Sequence, residues 1–119
     1  MRVGIDLIEI DRFKNIAGDD IKLGTIFTSK ERQYFAKFAD PLLHIAGTFA
    51  VKEAVAKAFK TGFNGRIVPL DIEVDHIDSV PQVNLKGGAK QFFLENNFKE
   101  IEISITHSKH DASAVCVII

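Results

Sequence analysis

The stretch from Leu42 to Lys60 constrains this chain most. It carries apolar Ile45, Phe49, Val55 and Phe59, with small residues Ala46, Gly47, Ala50, Ala54, Ala56 and Ala58 between them. Pro41 suits a first helical turn, and Thr61-Gly62 marks the end. A helix this rich in small residues must pack closely against other backbone. The rest of the fold has to be built around it.

The flanking segments supply that surroundings. Arg2 to Ile10 is rich in Val, Ile and Leu and reads as a strand, interrupted by Asp6 and Glu9. Asp11 to Ala17 reads as a helical turn or two. Thr28-Ser29-Lys30-Glu31 fits a capping box that starts a helix running to about Phe38. Leu70 to Ile77 alternates apolar and acidic residues, and Pro81 to Leu85 is a shorter strand. Gly87-Gly88 precedes a helix over 89–96. Glu100 to Thr106 and Ala112 to Ile119 read as a hairpin around a turn at 108–111. The order predicts one α+β domain over residues 1–119, an antiparallel sheet packed on a long helix.

Composition narrows the function. The chain has 119 residues, 46% hydrophobic and 26% charged, and suits a single globular core. Its 15 basic and 16 acidic residues leave a net charge of −1, which argues against a nucleic-acid binder. No apolar run approaches the ~20 residues of a membrane span, and a cytosolic location is expected. Cys116, the single cysteine, sits in an apolar run and reads as a buried small hydrophobe.

Three polar clusters interrupt apolar surroundings. Asp6 lies in the first strand, where a carboxylate is costly unless paired or bound to a cation. Lys52, Glu53 and Lys57 lie in the middle of the long helix, with Glu53 and Lys57 spaced to pair. His107 ends Ser104-Ile105-Thr106-His107, where a strand meets a turn. Taken blandly, these are a solvent-facing strand end, a surface salt bridge and a structural histidine. Taken together, Asp6 and Glu53 could hold a hard cation such as Mg²⁺, with Lys52, Lys57 and Arg66 on phosphates. No Walker loop, dinucleotide fingerprint or zinc spacing is present.

Five segments in order then resemble one family. They are Gly4-Ile5-Asp6-Leu7-Ile8-Glu9-Ile10, 49–58 (Phe-Ala-Val-Lys-Glu-Ala-Val-Ala-Lys-Ala), Pro81 to Gly87, Ser104 to Ser108, and Ala112 to Val115. Together they resemble the holo-acyl-carrier-protein synthases, short 4'-phosphopantetheinyl transferases. The resemblance implies that family's fold, Mg²⁺, coenzyme A as donor and apo acyl carrier protein as acceptor, in the service of fatty acid biosynthesis. It implies a homotrimer with sites between subunits. It puts Asp6 and Glu53 on the metal, with Lys57 as a third catalytic residue. It puts Lys57 and His107 at coenzyme A, and Arg12 against the carrier protein. Thr48 stands where many relatives carry Arg, and Lys60 where many carry Gly. The rival readings are a metal-dependent phosphohydrolase and a non-catalytic module that binds coenzyme A or a carrier protein.

Overall fold

A computed structural model describes all of residues 1–119. The long helix, α3 (Leu42–Phe59), is the axis of the fold, and 13 of its 18 residues are buried. A helix covered nearly all round needs partners on several sides. One side is a three-stranded antiparallel sheet in the order β1 (Arg2–Glu9), β5 (Asp111–Ile118), β4 (Ile101–His107). Another is the separate hairpin of β2 (Ile72–Ile77) and β3 (Val80–Leu85). The expected sheet is therefore split in two. Asp78 and Ser79 turn the hairpin with φ of 50° and 66°, the positive values that a tight two-residue turn needs.

Short helices close the remaining sides: α1 (Asp20–Leu23), α2 (Ser29–Phe35) and α4 (Gly87–Glu95). The Thr28–Glu31 capping box that opens α2 is present as expected. Phe13, Phe27 and Phe35 make edge-to-face pairs beneath it, and Phe13 also meets Phe49 of α3. Each such buried ring contributes about 1.5–3 kcal/mol.

The β4–β5 hairpin forms in the expected place. Its β5 strand alternates so that Ala112, Ala114, Cys116 and Ile118 are buried against α3. Burial pushes the Cys116 thiol up to about 12. Pairing places Asp6 beside Ala114, and Ala114 beside Ile105, all on the helix-facing side of the sheet.

The end of α3 differs from the sequence reading. The left-handed residue is Lys60, at φ 64°, ahead of Gly62 at φ 60°. Glycine fits such a cap without a Cβ penalty, so lysine here carries strain of about 1 kcal/mol.

Candidate functional site

The crossing of α3 over β1 places the first group of side chains. Gly4 and Asp6 project from the same face of β1. A Cβ at Gly4 would collide with the Ala54 carbonyl oxygen and lie 2.7 Å from the Ala58 nitrogen. Only glycine on the strand, facing alanines on the helix, lets the two backbones come this close. Two residues further along β1, Asp6 then meets the side chains beside those alanines, Glu53 and Lys57.

Lys57 Nζ donates to Asp6 Oδ1 at 2.9 Å and to the Ile5 carbonyl at 3.1 Å. The expected Glu53–Lys57 pair along the helix gives way to this cross-element pair. The Asp6 side chain is 11% exposed, and its Oδ2 is buried with no hydrogen-bond partner. Burial raises the Glu53 carboxyl above its ordinary range, and the Asp6 charge raises it further. Lys57 and Arg12 pull it back. Arg12 itself is exposed, with its guanidinium 5.2 Å over the Phe49 ring.

A buried carboxylate oxygen with no donor is rare and costly. Here it lies beside a second acid that it repels. A divalent cation would satisfy both, so the residues present fit a hard ion. Two carboxylates are also what Mg²⁺ commonly takes from a protein, the rest of its shell being water and substrate phosphate. No group of three or more His, Cys, Asp or Glu side chains is placed to hold a metal ion by itself, so the two acids would hold an ion only in partnership with other ligands.

Lys52 requires a correction. The sequence reading placed it on phosphate, but successive helix positions point about 100° apart. Lys52 is turned inward and fully buried. Its ammonium donates to Glu31 Oε1 at 2.8 Å, the Pro69 carbonyl at 2.8 Å and the Ile72 carbonyl at 2.7 Å. An ammonium has three protons, so none remains for a ligand. Burial lowers its affinity for the proton, with Glu31 opposing. Lys52 ties α3 to α2 and β2.

Arg66 also stands apart. Its Nη2 lies 2.7 Å from Glu95 Oε2, and its guanidinium lies 5.8 Å from the Phe92 ring, beside α4. His107 shares the helix-facing side of the sheet with Asp6, but two strands away. That is about 10 Å across the sheet. Within one chain, then, Asp6, Glu53, Lys57 and Arg12 form one cluster, and His107 belongs to another.

That second cluster was missed in part. His107 lines a cleft with His44, Thr48 and His76. Of its three histidines, sequence analysis singled out His107 alone. One signal was available: His44, Gly47 and Thr48 fall at i, i+3 and i+4 and share a helix face. His76 comes from the hairpin, and no local pattern connects it to them.

Comparisons with known proteins agree with one another. The profile of the 4'-phosphopantetheinyl transferase superfamily matches residues 2–116. Holo-[acyl-carrier-protein] synthase of Caldanaerobacter subterraneus subsp. tengcongensis is 40% identical over 117 residues, covering 97% of this chain and 91% of its own. Among solved structures, Helicobacter pylori holo-[acyl-carrier-protein] synthase in complex with coenzyme A superposes with a TM-score of 0.85. Its identity is 29%, and the match covers 98% of this chain and 99% of that one. The Bacillus anthracis enzyme in complex with CoA (3',5'-ADP) gives a TM-score of 0.81 at 31% identity, covering 98% and 94%.

Proposed function

The chain belongs to the 4'-phosphopantetheinyl transferase superfamily, and from that premise we propose that it is a holo-acyl-carrier-protein synthase. It moves the phosphopantetheine arm of coenzyme A onto a serine of apo acyl carrier protein. The observation that carries the site assignment is the partnerless Asp6 Oδ2 beside the raised carboxyl of Glu53, with Lys57 on the rim.

The serine oxygen forms a bond to the β-phosphorus of coenzyme A, the bond to the nucleotide oxygen breaks, and 3',5'-ADP leaves. Mg²⁺ held by Asp6 and Glu53 supplies charge neutralisation on the diphosphate when bound. Lys57, half exposed at 52%, adds a fixed positive charge facing the same oxygens. Its bonds to Asp6 and the Ile5 carbonyl hold that charge in place. The serine proton passes to Glu53, directly or through a water. Arg12, exposed and close enough to Glu53 to influence it, would meet the acidic carrier protein at the mouth of this site.

The same reading includes a homotrimer with sites shared between subunits, working in the cytoplasm in fatty acid biosynthesis. The outer face of β1 supports the assembly. Val3, Ile5 and Leu7 are 56%, 63% and 67% exposed, and they pair with Val117, Val115 and Ser113 of β5. A contiguous apolar sheet face of this kind marks a protein interface. The separation of His107 from Asp6 within one chain fits a site completed by a neighbour. No helix is long and apolar enough to cross a membrane.

Mass spectrometry of an apo carrier protein incubated with this protein, coenzyme A and Mg²⁺ tests the reaction. Gain of one phosphopantetheine on the carrier supports it. Free phosphopantetheine with an unmodified carrier would mean hydrolysis, and binding with no product would mean a non-catalytic module.

A further inference from the structure

Lys57 reaches from α3 to β1 and offsets only part of the negative charge there. Its ammonium has three protons. One goes to Asp6 Oδ1 at 2.9 Å and one to the Ile5 carbonyl at 3.1 Å. The third has no acceptor in the protein, and the lysine side chain is half exposed. Asp6 is in the opposite position. Its side chain is only 11% exposed, and its Oδ2 is buried without a donor. Glu53, one turn before Lys57 on α3, is in none of the chain's ion pairs. Arg12 is the other cation of the cluster; it is exposed, so solvent screens its charge more than that of Lys57.

Charge balance decides what such a cluster retains. Asp6 and Glu53 bring two negative charges, and Lys57 brings one positive charge. A divalent ion entering alone would leave an excess of positive charge. It would also share Asp6 with an ammonium that already holds Oδ1. Like charges a few ångströms apart repel, and more strongly where water is partly excluded. Without the lysine, the two carboxylates and the ion would balance and the ion would stay. With the lysine, balance needs a further anion. A diphosphate reverses the excess and offers oxygens both to the ion and to the free proton of Lys57.

We propose that Lys57 is the internal counter-charge of the Asp6–Glu53 pair. It weakens the hold of the two carboxylates on a lone divalent ion and makes firm retention depend on a ligand that carries a diphosphate. This role is separate from the fixed charge that Lys57 places on the reacting oxygens. The free protein is thereby matched to the ion and the diphosphate together. That the diphosphate is coenzyme A rests on the transferase reading above; the counter-charge rests on the Asp6–Lys57 geometry. A lysine that served only to hold Asp6 in place would have the opposite effect, because its loss would loosen a metal ligand and weaken ion binding.

Mn²⁺ takes the same oxygen ligands and is the probe. Equilibrium ultrafiltration counts the ion retained with the protein. With no other ligand present, Lys57→Met should bind Mn²⁺ about tenfold more tightly than wild type, the scale of one unit charge beside a divalent ion in a wet site. Lys57→Arg keeps the charge and should stay within about twofold of wild type. Coenzyme A should tighten Mn²⁺ on the wild-type protein by about tenfold or more. Equal or weaker Mn²⁺ binding in Lys57→Met overturns the inference, and weaker binding assigns Lys57 to positioning Asp6. So does a Lys57→Arg protein that behaves like Lys57→Met, because charge would then not be the cause. Either result leaves the transferase reading intact, since modification of the carrier is measured separately. Inorganic pyrophosphate is the second ligand. If it tightens Mn²⁺ and coenzyme A does not, the counter-charge stands and the coenzyme A reading fails. If neither does, the dependence on a diphosphate is refuted.

Discussion

Lys52 and Glu31 form a sealed ion pair: Nζ lies 2.8 Å from Oε1, and the side chains are 0% and 1% exposed. Glu31 is also the capping-box residue of α2, accepting from the Thr28 nitrogen at 2.8 Å. Its other oxygen accepts from the Val74 nitrogen at 2.8 Å. One carboxylate thus joins α2, α3 and β2. Removing one partner of a buried pair leaves the other uncompensated, at a cost of about 3–5 kcal/mol. Lys52→Met should lower the unfolding free energy by that amount, measured by urea denaturation. A wild-type midpoint combined with a raised KM for coenzyme A would return Lys52 to the phosphates.

Asp6 and Glu53 should bind Mg²⁺ in the absence of substrate, read as a rise in melting temperature. At tenfold excess over Kd the stabilisation is about 1.4 kcal/mol. The Glu53 carboxyl is raised in the folded state, so its contribution is present below its unfolded value and lost as pH rises through the folded one. The metal-free protein therefore carries its repulsion at neutral pH, where the cation relieves it. The Mg²⁺ effect should shrink on acidification as protons compete for Glu53. Asp6→Asn and Glu53→Gln should abolish both this shift and most activity. A full shift in either variant places the ion elsewhere.

Arg12→Glu should raise KM for the carrier protein by about tenfold and leave that for coenzyme A nearly unchanged. The difference should narrow at high salt, because exposed charges are screened. Equal effects on both substrates would remove Arg12 from the docking surface.

Lys60→Gly should stabilise the protein by about 1 kcal/mol, since the position is left-handed at φ 64°. Chemical denaturation of the two proteins measures this directly. A loss of stability would show that the lysine side chain offsets its backbone strain through contacts of its own.

Val3→Lys places a charge on the apolar face of β1, where Val3 is 56% exposed. If the proposed trimer with shared sites holds, light scattering should change from trimer to monomer and activity should be lost with it. An active monomer of either protein contradicts the shared-site arrangement.

Much of the fold was legible locally. The small residues of α3, the Thr28–Glu31 box and the alternation of β5 are patterns of period 3.6, of capping and of period 2, and each formed nearly where it was read. Family motifs also picked out Asp6, Glu53, Lys57 and Arg12, which the structure gathers into one cluster. What only the tertiary structure decided was direction. Lys52 and Glu53 are neighbours in sequence, yet one faces the core and the other faces Asp6. Periodicity cannot orient a helix that is apolar on nearly every side. The tight seat of Ala54 and Ala58 on Gly4 sets the rotation, and that contact spans about fifty residues. The histidine cleft was hidden for the same reason. Its members come from four elements, and only packing brings them together.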